Sequence, residues 1–249
     1  MVKFLIVTRG RTGSTAVIDE LGKMECFCTT QELFRPGPYT EKILNNHYRL
    51  IPPYDRWKEK SGWLKSKFPN SWMVRHYLDQ AEILAQQQGS KVFGFKVLSH
   101  HFEERKYLKK YLKNKNYKVV YLRRNSVRQV LSGMIANLRG IWNKKEEVSD
   151  DKKYYIEIDK FKWHVNFERQ SVKNDCDWLS SEKFEFLDVK YEDFCYDREK
   201  FYGNIFNFLN LPIVLPPFSD YVKVIKNLDM VIENYDEICA AAIELGEAI

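Results

Sequence analysis

The hydrophobic positions of the 249-residue chain fall into short apolar runs that alternate with stretches of helical spacing. The runs rich in β-branched and aromatic residues predict strands over 2–8, 91–97, 117–122 and 184–189. Apolar residues at helical spacing predict helices over 14–23, 102–112, 126–138, 160–179 and 197–209. Strands that alternate with helices indicate an α/β fold with a central parallel sheet, whose ligand lies beyond the carboxyl ends of the strands.

Two stretches do not follow this pattern. Residues 34–72 hold eight aromatics and several prolines without periodicity, and residues 140–159 form a charged connection. Long loops in compact folds are often lids or binding loops, so we expect 36–75 to be a lid or binding insertion within a single domain, 1–249. Its aromatics either stack on a ligand or pack on the core: Tyr39, Tyr48, Tyr54, Trp57, Trp63, Phe68 and Trp72. Trp163 and Trp178, on the long predicted helix, are expected in the core.

The composition is that of an ordinary folded protein, with 44% hydrophobic and 30% charged residues and a net charge of +6. The early apolar run Phe4-Leu5-Ile6-Val7 is too short for a signal peptide or a membrane span. The five cysteines are odd in number and scattered, which predicts free thiols in a reducing compartment. We therefore expect a cytoplasmic protein without a transmembrane segment.

The charge is unevenly distributed. Residues 227–249 contain six acidic side chains and no Lys or Arg, so residues 1–226 carry a charge of about +12. The apolar residues of this tail have helical spacing: Val231, Tyr235, Ile238, Ala242 and Leu245. They predict an acidic C-terminal helix within 227–249 that docks on the rest of the chain or on a partner subunit.

A glycine-containing turn joins the first predicted strand to the first predicted helix. Residues 8–15 read T-R-G-R-T-G-S-T. The glycines let backbone amides approach a ligand closely, and the start of a helix favours an anion. A tight turn with Ser/Thr capping would explain the glycines alone, but the added arginines favour a phosphate-binding loop. Its predicted binding residues are Arg9, Gly10, Arg11, Thr12, Gly13, Ser14 and Thr15. The lysine of a Walker A loop is absent.

A second pair of polar residues follows the third predicted strand. Arg124 lies at the carboxyl edge of that strand, and Ser132 comes eight residues later on the next predicted helix. An arginine and a hydroxyl placed in this way can hold one phosphate between them. The alternative is a solvated basic face formed with Arg123 and Arg128.

Together, these motifs resemble the sulfotransferase superfamily, which uses 3′-phosphoadenosine-5′-phosphosulfate (PAPS). Residues 11–15 are similar to its 5′-phosphosulfate loop, and the Arg124–Ser132 spacing is similar to its 3′-phosphate pair. The likeness is greatest with the bacterial trehalose 2-sulfotransferase family, which includes proteins labelled as lipopolysaccharide or Nod-factor sulfotransferases. It extends to Q-E-L-F at 31–34 and F-G-F-K-V at 93–97, while Y-E-D-F at 191–194 resembles an element of the wider superfamily.

The resemblance implies a three-layer, P-loop-like α/β fold, PAPS as sulfuryl donor, 3′-phosphoadenosine-5′-phosphate (PAP) as product and no metal. It implies that Arg11 and the amides of 12–15 hold the 5′-phosphate, and that Arg124 and Ser132 hold the 3′-phosphate. It also suggests a homodimer. Transfer in line relies on positioning and electrostatics.

The resemblance also names candidates for the base that accepts the acceptor's proton. Glu32 matches the family's catalytic carboxylate. His100 is the rival, because cytosolic sulfotransferases carry a catalytic histidine in a similar place, although a helix-entry or core histidine is the simpler interpretation. Lys96 either reaches the sulfuryl oxygens or only supports the loop.

The acceptor is expected to be a hydroxyl of a carbohydrate or glycolipid, and the 36–75 insertion is expected to bind it, with aromatic side chains that can stack on sugar faces. The family's E-E-Y-F is Q-E-L-F here, and its Q-T-G-x-W is L-R-G-I-W at 138–142. Both changes fall where the resemblance places the acceptor, so trehalose itself is not inferred.

Two other function classes remain open at this stage. A partial Walker B strand, F-E-F-L-D at 184–188, keeps a nucleotide-dependent kinase in view, although the missing P-loop lysine opposes it. A basic run between Lys106 and Lys118 keeps a non-catalytic nucleotide- or nucleic-acid-binding protein in view. No nucleic-acid-binding motif accompanies this run, so a solvated helix face is the favoured interpretation and no nucleic acid partner is expected.

Overall fold

A five-stranded parallel sheet forms the centre of the computed structural model. The structure describes residues 1–37, 39–40, 44, 48, 50–62, 69–142, 152–222, 225, 227–247 and 249. The strands are β1 (Val2–Thr8), β2 (Phe27–Glu32), β3 (Val92–Leu98), β4 (Lys118–Arg123) and β5 (Phe186–Lys190). Their order across the sheet is β2-β3-β1-β4-β5. The loops that follow β1, β3 and β4 are therefore neighbours at one edge of the sheet.

Helices cover both faces of this sheet. Along the first half of the chain they are α1 (Ser14–Gly22), α2 (Tyr54–Lys60), α3 (Asn70–Gln87), α4 (His101–Glu104) and α5 (Lys106–Asn114). In the second half they are α6 (Ser126–Arg139), α7 (Ile158–Ser181), α8 (Tyr191–Tyr196), α9 (Arg198–Leu209) and α10 (Tyr235–Glu244). The predicted three-layer α/β architecture is thus confirmed.

The alternation of β1 explains the layers. Leu5 and Val7 point into a cluster shared with α3 and α5, while Phe4 and Ile6 point into a second cluster shared with α1 and α9. All four side chains are fully buried. A strand buried on both faces needs a continuous apolar run rather than alternation, which is why β1 was recognisable in the sequence.

The C-terminal segment contains the helix α10, which packs on the rest of the chain. Ile238 and Ala242 are fully buried in a third cluster with residues of α6 and α7, and Tyr235 and Leu245 pack at its margin. Two ion pairs add to this contact, Lys162–Glu244 and Arg169–Glu247. The tail therefore covers α7.

Several local predictions differ from the structure. The sequence patterns did not identify β2 or the helices α2 and α3 as such, and the predicted helix 102–112 is two helices that meet at Arg105. Trp163, expected in the core, is 60% exposed, because its position on α7 faces away from the buried stripe. Trp178 does pack inward, against Phe102 and Phe184.

Two further properties bear on the expected setting of the protein. The five cysteines are free thiols. None of the described helices is long and apolar enough to cross a membrane.

Candidate active site

The loop between β1 and α1 has a fixed, ligand-ready backbone. Gly13 has φ +75°, and a Cβ atom there would lie 2.1 Å from the ring of Tyr191, so only glycine fits. Beneath it, the Thr8 hydroxyl donates to the Leu122 carbonyl at 2.7 Å and contacts the Thr12 hydroxyl. α1 begins at Ser14, and the amides of a helix's first turn have no acceptor within the helix.

Arg11, Arg124 and Ser132 converge beside this loop. The Arg11 Nε donates to the Ser132 Oγ at 3.2 Å, and the Arg124 guanidinium donates to the Arg11 carbonyl at 3.0 Å. Arg11 also donates to the Trp142 carbonyl, and the Arg124 guanidinium lies 4.8 Å from the Tyr191 ring centre. The two predicted phosphate sites are therefore adjacent, joined by Arg11 itself.

These two guanidiniums lack a carboxylate partner among the described residues. Burial, with the charge of Arg124, lowers the pKa of Arg11 below its usual value. Burial also lowers the pKa of Arg124. Two partly buried like charges held close together favour an anion between them.

Glu32 and Lys96 form an ion pair at the other end of the same site. The Lys96 Nζ lies 2.8 Å from the Glu32 Oε1 and donates to the Thr15 hydroxyl at 3.1 Å. Burial opposes ionisation of Glu32, but the charge and hydrogen bond of Lys96, with smaller contributions from His101 and Arg35, lower the pKa of Glu32 below its usual value. The carboxylate at the end of β2 is thus linked to the phosphate loop through one lysine at the end of β3.

His100 lies on the surface, whereas its neighbour His101 is buried. His100 is exposed and does not line the cavity described below. His101 is 1% exposed, and its Nδ1 has no hydrogen-bond partner among the described residues. Burial and the nearby His100 lower the pKa of His101 to about 4, so its imidazole is neutral at pH 7.

The phosphate loop, the group formed by Arg11, Arg124 and Ser132, and the Glu32–Lys96 pair surround one cavity of about 670 Å³. Its walls include the loop residues from Gly10 to Ala16, Glu32 with Lys96, and Arg124 with Ser132. Aromatic side chains line it as well: Trp142, Tyr191, Phe194, Phe218, Tyr221 and Tyr235. The cavity therefore combines two cationic positions, a carboxylate–lysine pair and flat apolar surfaces that suit a nucleotide base.

Part of this wall comes from the chain that follows α9. The buried Glu20 of α1 accepts from Arg198 at 2.7 Å, from the Tyr202 hydroxyl at 2.8 Å and from the Ser219 amide at 3.0 Å. The neighbouring Asp19 accepts from the Ser219 hydroxyl. These contacts hold the residues around Ser219 over the first turn of α1.

Arg9 does not line the cavity, in contrast to the rest of the predicted loop. Its Nε lies 2.8 Å from the Glu168 Oε1, and one terminal nitrogen lies 3.6 Å from Asp175. The Gln129 amide donates to both the Gly10 carbonyl and the Glu168 carboxylate, each at 2.8 Å. Arg9 is therefore engaged with α7 on the far side of the loop.

Most described aromatics of the predicted acceptor insertion pack on the core. Tyr48 is 7% exposed and Tyr54 is 2% exposed, and both belong to the main apolar cluster. Trp57 and Trp72 pack against its edge. Tyr39 is half-buried, and Trp63 and Phe68 lie outside the described residues. The core interpretation holds for these four side chains.

The Walker-B-like strand and the basic run do not have the positions that a kinase or a nucleic-acid-binding protein would require. Asp188, the Walker-B-like aspartate, pairs with Arg123 at 2.7 Å and does not line the cavity. Within the basic run, Lys115 pairs with Asp79 at 2.8 Å and Lys118 pairs with Glu185 at 2.9 Å. Lys109 lies 4.4 Å from the Trp178 ring centre. These side chains serve local contacts.

Several residues that contact the phosphate loop belong to no sequence motif that would have identified them as part of the site. Glu168 and Asp175 lie on α7, more than 150 residues from the loop they contact, and no local spacing marks them. Gln129 and Tyr191 appear in the family-like segments but had no assigned role. For Gln129, its inward position between Val127 and Leu131 was the only pattern that could have marked it, as a buried polar residue in an apolar helix.

The sequence matches the model of the sulfotransferase family over residues 4–215. No curated protein sequence matches the chain. Among solved structures, the sulfotransferase domain from the Synechococcus PCC 7002 olefin synthase is 17% identical with a TM-score of 0.52, covering 85% of this chain and 74% of its own. A sulfotransferase from Alicyclobacillus acidocaldarius is 12% identical with a TM-score of 0.47, covering 98% of this chain and 94% of its own.

A third solved structure is that of the mouse sulfotransferase SULT7A1, described as complexed with PAP. It is 12% identical with a TM-score of 0.47, and the match covers 85% of this chain and 60% of the mouse chain. At these identities the structural likeness concerns the fold.

Proposed function

Because the chain belongs to the sulfotransferase family, we propose that it transfers a sulfuryl group from PAPS to a hydroxyl of a carbohydrate or glycolipid. The observation that carries this proposal is the pair Arg11–Arg124. Two guanidiniums without a carboxylate partner in the described chain share one cavity with a helix N-terminus. The chemistry of this donor set fits a ligand with two phosphate groups.

In the proposed complex, each anionic group of PAPS has its own protein donors. Arg11 and the amides of residues 12–15 hold the 5′-phosphate and stabilise the charge that it gains as the leaving group. Arg124 and Ser132 hold the 3′-phosphate, which distinguishes PAPS from ordinary adenylates. Arg9 is not part of this set, because its guanidinium is paired with Glu168.

The proposed reaction is an in-line displacement at sulfur. The acceptor oxygen forms a bond to sulfur while the bond between sulfur and the 5′-phosphate oxygen breaks, giving a sulfate ester and PAP. The acceptor's proton passes to a base. Cationic side chains offset the charge on the leaving group, as in phosphoryl transfer.

We propose Glu32 as that base and Lys96 as the cation that faces the transferred group. Glu32 lines the cavity, whereas His100 is exposed and does not. The low pKa of Glu32 keeps it ionised at neutral pH. Lys96 connects it to Thr15 of the phosphate loop, so the base and the leaving group are positioned by a shared residue.

The nucleotide part of the proposal is tested by thermal shift. PAP at sub-millimolar concentration should raise the melting temperature of the protein. ATP with magnesium, or an oligonucleotide, should raise it much less. Stabilisation by ATP with magnesium but not by PAP would support the kinase alternative and reject the proposal.

The transfer step is tested with labelled PAPS across a panel of disaccharides, glycolipids and small alcohols. With any acceptor that works, Glu32→Gln should abolish transfer and leave PAP affinity within about threefold, because the change removes the base but no phosphate ligand. His100→Ala is the matched control and should keep normal turnover. Near-normal turnover of the Glu32→Gln protein would eliminate Glu32 as the base.

A further inference from the structure

We propose that Glu168 is a positioning residue that sets the conformation of the phosphate loop from its outer side. The inference rests on the proposed function, since it assigns a role in holding the PAPS 5′-phosphate. Glu168 does not touch the cavity itself. It acts through Gln129, which contacts the Gly10 carbonyl, and through Arg9, which belongs to the loop and adjoins Gly10.

The contact with Gln129 is the first of two links. The Gln129 side chain is 4% exposed, and its single amide nitrogen donates to the Gly10 carbonyl and to the Glu168 carboxylate, each at 2.8 Å. An amide nitrogen has two donor hydrogens, and here both are used. Glu168 therefore fixes the orientation of the side chain that holds the Gly10 carbonyl.

Arg9 provides the second link. It lies 2.8 Å from Glu168 in an ion pair, while the cation also lies over the Phe167 ring at 6.0 Å. Arg9 immediately precedes Gly10 and Arg11. Pairing with Glu168 keeps the Arg9 guanidinium out of the cavity, which leaves the loop's amides and the Arg11 guanidinium to face the ligand.

The helix that carries Glu168 is itself anchored at two strand ends. Asp175, two turns further along α7, accepts from the Ser99 hydroxyl at 2.6 Å and from the Tyr121 hydroxyl at 3.1 Å. Ser99 follows β3, and Tyr121 lies on β4. These contacts fix α7 against β3 and β4, and Glu168 couples the helix to the loop that follows β1, the strand between them.

A carboxylate near a phosphate site can have a second role, and its removal would then change the affinity for phosphate in the opposite direction. If Glu168 only offset positive charge, its removal would free Arg9 and strengthen the binding of an anion. If it positions the loop, its removal should weaken binding of the 5′-phosphate, although the site becomes more positive. The sign of the change in affinity separates the two roles.

The experiment measures binding of two nucleotides by calorimetry. PAP carries both phosphates, whereas adenosine 3′-monophosphate carries only the group assigned to Arg124 and Ser132. Glu168→Ala should weaken PAP binding about tenfold or more, the effect of losing a charge-assisted contact. It should change the affinity for adenosine 3′-monophosphate less than twofold.

Two further variants guard against a protein that fails to fold. Glu168→Gln keeps an oxygen acceptor for Gln129 and should lose less PAP affinity than Glu168→Ala. Gln129→Met removes the contact with Gly10 at similar volume and should weaken PAP binding as Glu168→Ala does. Glu244→Ala is the matched control, because it removes an ion pair to Lys162 on the same helix, away from the loop.

Three outcomes would overturn the proposal. Unchanged or tighter PAP binding in the Glu168→Ala and Gln129→Met proteins would exclude positioning. Equal losses for both nucleotides would indicate general loosening of the site. If the unaltered protein bound no PAP, both the proposed function and this inference would be wrong. If the unaltered protein bound PAP and neither Glu168→Ala nor Gln129→Met changed the affinity, only this inference would be wrong.

Discussion

Replacing Lys96 with methionine should change how the stability of the protein depends on pH. Burial alone would raise the pKa of Glu32, and Lys96 is the main cation that lowers this pKa below its usual value. Their side chains are only 6% and 18% exposed. Methionine keeps the length and the apolar stem of lysine but leaves the carboxylate without its partner. We therefore expect Glu32 in the Lys96→Met protein to become harder to ionise.

The geometry sets the size of the effect. Two unit charges 2.8 Å apart attract by about 6 kcal/mol at an effective dielectric constant of about 20, before the cost of desolvating both is subtracted. An opposite charge this close ordinarily moves a carboxyl pKa by about 1–3 units. A rise of about 1–2 units corresponds to about 1.4–2.7 kcal/mol.

The assay is urea unfolding of both proteins from pH 3 to pH 7, without ligand. In the unaltered protein the lowered pKa contributes stability that is present above the unfolded-state value near 4.3 and is lost as pH falls. In the Lys96→Met protein the raised pKa makes ionisation costly, so stability decreases as pH rises through it. The stability difference between the two proteins should widen by about 1.4–2.7 kcal/mol from pH 3 to pH 7.

The matched control is the same substitution in a Glu32→Gln background. There the stability difference should not change with pH, because the titrating partner is gone. A pH-independent difference in the Glu32 background as well would show that Lys96 does not govern the charge of Glu32. Lys96 would then not be the cation that keeps the proposed base Glu32 ionised.

Two further predictions concern the nucleotide site and the sheet. Arg124→Met should lower PAP affinity about 10–100-fold in calorimetry, because a charge-assisted phosphate contact is lost, while the affinity for AMP should stay within about threefold; equal losses would contradict the 3′-phosphate assignment. Gly94→Ala places a Cβ atom 2.1 Å from the Phe4 ring and should lower the free energy of unfolding by about 1–3 kcal/mol. The control is Gly203→Ala, because nothing lies within 4 Å of a Cβ atom at that position. Thermal unfolding of both variants should show that Gly203→Ala leaves the free energy of unfolding unchanged.

Three of the four strands that the sequence predicted are buried on two faces. β1, β3 and β4 lie in the middle of the sheet and read as continuous apolar runs. β2 is an edge strand with the sequence F-C-T-T-Q-E, and only Thr30 in it is buried. Its polar composition concealed a strand that carries Glu32, so the candidate base was found by family likeness and not by its structural setting.

The candidate site divides in the same way. Residues on the loop after β1 were recognisable because glycine, hydroxyl and arginine side chains follow one another in a short segment. Arg9 shares that segment, but its orientation depends on Glu168, which lies on a distant helix. A local motif specifies which residues are available near a ligand. Which way each side chain points is decided by long-range partners that the motif does not contain.

The helix α7 illustrates this dependence for the site as a whole. Through Glu168 and Asp175 it contacts the ends of three neighbouring strands, at Arg9 after β1, Ser99 after β3 and Tyr121 on β4. The same helix also packs against α10, through ion pairs and a shared apolar cluster. Because a buried carboxylate without its partners is costly, these contacts favour one relative placement of the strand ends. The helix α7 can thus fix the position of the phosphate loop relative to the Glu32–Lys96 pair, although none of its described residues lines the cavity.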